Sequence, residues 1–318
     1  MAVNRDKPDR WNRDIALSVD MYNDWFLRFA PETYRASRMQ TTKDVQQTLT
    51  ATNNLTDIGV ALLSQHPAVL PTLRMSACPP LAADRLTGLA GVSRHLVKVM
   101  EKDGTLPPRM PQEELHRDLA RIGETIRRMA DPDIFVWLAR DVGPTDQELY
   151  RAATIVADRL CGTVANPIIR NAQEKRQLAA LEEWLTVANY TAAAEGTTYD
   201  QMPPGTFAFR LNMPVQQEGS GTTINMPVDA VLMPQRVTAT ELPLLIEAKS
   251  AGDFANVNKR RKEEATKVNQ LRRTYGDHVR FVLFLCGYFD SSYLGYEAAE
   301  GIDWVWEHRI DDLREFGL

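Results

Sequence analysis

The stretch from Gly205 to His308 constrains this fold more than any other part of the chain. Five segments in it read as β-strands: GTFAFRLNMPV (205–215), TINMPVDAVLM (223–233), LPLLIEAK (242–249), VRFVLFLCG (279–287) and IDWVWEH (302–308). Each is short, apolar and bounded by turn-forming residues. A long helical pattern, PIIRNAQEKRQLAALEEWLTVANY (167–190), precedes the first strand. A basic helix, NKRRKEEATKVNQLRR (258–273), separates the third strand from the fourth, and DDLREF (311–316) closes the chain as a short helix. Helix, three strands, helix, strand, strand and helix make an α/β domain.

The first half has a different texture. SVDMYNDWFLRFA (18–30) opens with a Ser/Asp cap signal and then repeats apolar residues at helical spacing. TTKDVQQTLTATNNL (41–55), EELHRDLARIGETIRRMA (113–130) and TDQELYRAATIVADRL (145–160) do the same. Pro-rich breaks such as ACPPL, TLPPRMP and DPD separate them. The expected division is a helical N-terminal region, residues 1–164, followed by an α/β domain, residues 165–318.

Composition excludes several classes. Cys78, Cys161 and Cys286 are far apart with no CxxC spacing, which fits a reduced, cytoplasmic protein. The five histidines form no zinc pattern. There is no P-loop, no GxGxxG, no secretory signal in MAVNRDKPDRWNRD and no apolar run of membrane-spanning length. The net charge of −5 gives no global attraction to nucleic acid, but a local basic patch is sufficient for that.

The informative residues are charges where strands call for hydrophobes. In LPLLIEAK, Glu247 and Lys249 alternate onto one face, roughly 6.5 Å apart, with Ile246 and Ala248 on the other. Asp229 sits inside the apolar MPVDAVLM. A charge placed so needs a partner, a metal or the strand's wet end. If the two strands pair as a hairpin, Asp229 and Glu247 lie side by side. A hard divalent cation relieves their repulsion: Mg²⁺ takes oxygen ligands and keeps several waters. Asp229, Glu247 and the Ala248 carbonyl provide such a set, and Lys249 would stand beside a metal-bound water, able to orient it or help remove its proton, an arrangement suited to phosphodiester hydrolysis. The plainer reading is a buried Asp–Lys or Glu–Lys pair with no chemistry.

These residues carry a resemblance. Pro227-Val228-Asp229 and Glu247-Ala248-Lys249, in this order of elements, resemble the PD-(D/E)xK nuclease superfamily. IEAKSAGDFANVNKRRKEEATKVNQLRRTYG, RWNRDIALSVDMYNDWF and CPPLAADRLTGLAGVS are similar to the XamI group of type II restriction endonucleases, over most of the chain. The superfamily motif is short and permissive; the GDF…NKRRKEEA text is far more specific. Val228, between the Pro and the Asp, is a departure that the superfamily tolerates. The resemblance implies a restriction-endonuclease-like core with Asp229 and Glu247 as metal ligands and Lys249 as the catalytic lysine. It also implies products with a 5′-phosphate and a 3′-hydroxyl.

Glu174, Leu178, Leu181 and Leu185 fall on one face of the 167–190 pattern. As the start of that helix, Glu174 is explained by the helix dipole; the resemblance implies that it reaches the metal site or holds one of its waters. Gln173 and Gln177 read equally as surface positions or as contacts to water or nucleic acid. From Lys249 to Arg273 there are eight basic and three acidic residues. Val257, Val268, Leu271 and Tyr275 form the apolar stripe, and Glu263–Lys267 is a plausible i, i+4 pair. Such a run is ordinarily a solvated face. Next to Lys249, however, phosphate contact by Lys259, Arg260, Arg261 and Lys262 is the favoured reading, with Asn256 and Asn258 able to read base edges. LTGLAGVSRHLVKVMEKDGTLPP has the outline of a helix-turn-helix, although Gly and Ser at helix junctions are ordinary.

The expected function is Mg²⁺-dependent, sequence-specific cleavage of both strands of double-stranded DNA. A palindromic site favours a homodimer, and the family implies a protecting DNA methyltransferase in the host. The rival readings are a nuclease of DNA repair or branched-DNA processing, and a DNA-binding protein without catalysis.

Overall fold

The computed structural model describes residues 2–217, 221–236, 241–254 and 257–318, with side chains described at all of these except 257–261. The helices are α1 (Pro8–Ala51), α2 (Val60–Gln65), α3 (Leu70–Met75), α4 (Ala83–Ala90), α5 (Arg94–Asp103), α6 (Gln112–Met129), α7 (Asp146–Val187), α8 (Val257–Tyr275) and α9 (Ser291–Ala299). The strands are β1 (Thr191–Ala192), β2 (Thr206–Gln216), β3 (Thr223–Met233), β4 (Leu244–Ala251), β5 (Arg280–Gly287) and β6 (Asp303–Trp306). The closing helix expected at DDLREF lies in a 3₁₀ segment, Glu307–Phe316.

Two helices are longer than the sequence pattern suggests. α1 runs through Pro31 and α7 through Pro167. A proline inside a helix removes one N–H and strains the preceding turn, but the apolar periodicity on both sides outweighs it. Two expectations are corrected in consequence. Ser18 is not a cap but lies inside α1, and Glu174 is not at a helix start, so no N-terminal dipole acts on it.

The chain divides into two compact units, residues 30–169 and residues 1–29 with 170–318. The first is helical, and Leu63, Leu73, Leu96, Leu119, Ile126 and Phe135 lie in its core. In it, α4 ends on Gly91 in the left-handed conformation, and Ser93 caps α5 by accepting the Leu96 N–H.

The second unit holds a six-stranded sheet in the order β1 to β6. β2–β3 and β3–β4 are antiparallel; β1–β2, β4–β5 and β5–β6 are parallel. On one face, Leu181 and Leu185 of α7 pack against Leu244, Ile246, Val282 and Phe284. On the other, Val268 and Leu271 of α8 and Tyr293 and Leu294 of α9 pack against Leu245, Leu283, Trp304 and Trp306. Each fully buried Leu or Val contributes about 1.5–3 kcal/mol. The sheet is thus covered on both faces, as an α/β layer fold requires.

The first 29 residues group with the sheet for visible reasons. Asp303 accepts the backbone N–H groups of Val3, Asn4 and Arg5. Trp11 stacks edge-on against Trp304, 5.5 Å between ring centres. Ser18 accepts the Gly287 N–H. Among the described residues no helix is long and apolar enough to cross a membrane.

Candidate active site

The sheet forks at the two acids singled out in the sequence. β3 and β4 pair over Ala230↔Ile246, Val231↔Leu245 and Leu232↔Leu244, and the next step of that register brings Asp229 opposite Glu247. Beyond it β3 continues with β2 alone and β4 with β5 alone. The ladder bond lost at the fork is replaced from a side chain: Asp229 Oδ2 accepts the Ala248 N–H at 2.9 Å. Arg170, Gln173, Glu174 and Gln177 of α7 close over the opening, and with Asp229 and residues 247–250 they line a cavity of about 320 Å³.

Charges inside the fork are tightly engaged. Lys249 Nζ lies 3.1 Å from Glu247 Oε1 and 3.6 Å from Glu264 Oε1. Lys267 Nζ donates to the other Glu247 oxygen and to the Pro227 carbonyl, the latter at 2.6 Å. Tyr293 donates its hydroxyl to Glu264 Oε2 at 2.9 Å. Burial, reinforced by the Glu247 carboxylate, pushes Asp229 up to about 6; the Ala248 N–H, Lys249 and Lys267 oppose that shift. Burial pulls Lys249 down, but Glu247 and Glu264 outweigh it and its pKa rises. Lys249 is therefore an ammonium ion at neutral pH, fit to orient a water and hold negative charge rather than to act as a base.

The surrounding residues hold the fork in place. Gln177 is buried and donates to the carbonyls of Lys249 and Phe284 at 3.3 and 3.2 Å, tying α7 to β4 and β5. Its role in this structure is internal bridging rather than a surface contact. Gln173 donates to the Tyr22 hydroxyl. A Cβ on Gly252 would lie 2.6 Å from that oxygen, so glycine there lets the chain after Lys249 pass α1. Cys286, buried beside Arg176, has its thiol pushed up to about 12 and is no nucleophile.

Asp229, Glu247, Ala248, Lys249 and Glu174 thus share one cavity. Glu174 is ion-paired with Arg210, Oε1 to Nη2 at 2.7 Å. Lys262 is exposed on α8. Asn256 and the side chains of Asn258, Lys259, Arg260 and Arg261 lie outside the described residues.

The sequence reading missed Glu264, Lys267 and Arg210. For Glu264 a signal existed: Val268 and Leu271, both buried, follow it at i+4 and i+7, so it is a charge on the apolar stripe. Lys267 turns to Glu247, not to Glu263 as helix spacing suggests, because a buried carboxylate competes better than an exposed one. Arg210 gave no sequence signal.

Among the described residues no group of three or more His, Cys, Asp or Glu side chains is placed to hold a metal ion. Asp229 and Glu247 are a two-carboxylate set, the kind that suits a hard cation retaining most of its water.

No solved structure matches the chain. A type II restriction enzyme of Streptomyces albus G, SalI, is 52% identical over 317 residues, covering 99% of both chains. The model of the XamI restriction endonuclease family matches residues 53–306, which include the fork, the cavity-lining end of α7 and α8. The chain therefore belongs to the XamI restriction endonuclease family.

Proposed function

We propose that this chain is a type II restriction endonuclease that hydrolyses both strands of a short DNA site at the fork between β3 and β4. The observation that carries the reading is the convergence of Asp229, Glu247 and Lys249 on one cavity at the point where the sheet opens. Identity to a restriction enzyme over nearly the whole chain favours this over repair or branched-DNA processing. Membership of an endonuclease family over most of the chain favours it over binding alone.

Asp229, Glu247 and the Ala248 carbonyl would hold Mg²⁺. Two features make them fit: all are oxygen donors, and the register sets the two carboxylates side by side at the fork. When bound, the cation lowers the pKa of a water and stabilises charge on the phosphate. The chain's own groups do the rest. Lys249 orients the attacking water and balances the charge that builds on the phosphate oxygens. Glu264 and Tyr293 aim Lys249. Glu174 lines the same cavity and would hold a water there. The products carry a 5′-phosphate and a 3′-hydroxyl.

The helical unit provides DNA contact, dimer contact or both, in a homodimer where each subunit cuts one strand. The basic start of α8, with Lys259, Arg260, Arg261 and Lys262, contacts phosphates, and Asn256 and Asn258 approach base edges. Host DNA is protected by a methyltransferase that is not a subunit.

The deciding experiment is incubation with unmethylated plasmid and Mg²⁺. Discrete bands are expected. Smearing or structure-dependent nicks would move the protein to repair, and intact DNA that shifts on a gel would leave it a binding protein.

A further inference from the structure

Arg210 stands opposite Asp229 across β2 and β3: the register pairs Phe209 with Ala230 and Leu211 with Val228. Its φ is +54°, in the left-handed region, where an arginine inside a strand is rare. Both strands change face at this point. Phe207 and Phe209 pack on the α7 side, whereas Leu211, Met213 and Val215 pack on the α8–α9 side. Val228 and Ala230 are likewise on opposite faces although two residues apart. An alternating strand would keep both pairs on one face.

Glycine would make this kink without strain. The chain has arginine, and it uses the length of the side chain to reach Glu174 at the cavity. Neither partner is buried: the side chains are 60% and 38% exposed. An exposed ion pair of this kind contributes little to the fold, so folding does not account for a strained arginine. Strain at such a position points towards function.

We propose that Arg210 is a phosphate-binding residue that Glu174 holds in place until DNA arrives. On binding, the guanidinium passes from the Glu174 carboxylate to a phosphate of the strand entering the fork. Two parallel N–H donors match a phosphate better than one exposed contact to a carboxylate. The exchange also releases Glu174 to face the cavity. This inference rests on the nuclease reading above.

The test is fluorescence anisotropy of the full chain with a duplex from the region that the wild type cuts, with Ca²⁺ in place of Mg²⁺, across a salt series. Arg210→Gly should weaken binding at least ~10-fold and flatten the slope of log K against log salt by about 0.9, one phosphate contact. Its melting temperature should equal or exceed that of the wild type. Arg210→Lys should keep the slope and recover part of the affinity. Glu174→Gln should bind up to about five-fold more tightly, the gain from releasing an exposed pair worth at most ~1 kcal/mol. An unchanged slope in Arg210→Gly would overturn the proposal, as would its melting below wild type or Glu174→Gln weakening binding. If the wild type cuts no DNA, the nuclease reading itself fails; the slope comparison on any bound duplex still decides the role of Arg210.

Discussion

At Asp229, burial and the adjacent Glu247 act in the same direction, and the carboxyl is pushed up to about 6. The folded state then holds this proton to higher pH than the usual carboxylate value of 3.8. Stability from this group therefore falls as pH rises from about 4 to about 6, and stays lower above that range. Metal-free urea unfolding at pH 5 and pH 7.5 should show the loss, and Asp229→Asn should remove the part of it that this carboxyl contributes. At subsaturating Mg²⁺, cleavage should fall about tenfold per unit below pH ~6, as the proton competes with the cation for the carboxylate. Lys249→Met should lower the rate ~10²-fold or more while DNA binding persists. Sequence alone exposed these three residues because each is a charge in an apolar run. Arg210 was invisible because its peculiarity is a backbone angle, not a residue type out of pattern.

On the scale of elements, β4 depends on what is packed behind and beside it. Gln177 joins α7 to the Lys249 carbonyl, and Glu264 brings α8 to the Lys249 ammonium. Glu264→Gln keeps an acceptor for Tyr293 but removes the charge that faces the Lys249 ammonium. It should lower cleavage about 10–100-fold with binding intact, the size of effect seen when a supporting partner of a metal site is lost. Gly287 sits at φ +101°, and a Cβ there would lie 2.1 Å from the Ala251 carbonyl. Gly287→Ala should cost about 3 kcal/mol or more in denaturant unfolding. Strands β2 to β6 were readable from their composition, and the observed ends lie within about two residues of the expected ones. The continuity of α1 and α7 was not, because proline signals a break locally while packing on both sides decides the outcome. The two-residue β1 is too short to carry any pattern.

For the whole molecule, the sequence divides at 164/165, whereas compactness divides it within α1 and α7. That difference comes from contacts far apart in sequence, such as Asn4 with Asp303, 299 residues away, which no local pattern encodes. The net charge of −5 and the basic α8 together predict that DNA binding depends steeply on salt. Lys262→Ala should flatten that dependence by about 0.9 if Lys262 meets one phosphate. Light scattering should give twice the chain mass of 35.9 kDa for the homodimer.

Catalysis by the acids at the fork makes one variant decisive. The most direct measurement is single-turnover cutting of plasmid DNA by Asp229→Asn in Mg²⁺, with binding measured in parallel. Asp229→Asn should bind the same DNA and leave it uncut; cutting at the wild-type rate would show that the fork acids do not catalyse the reaction.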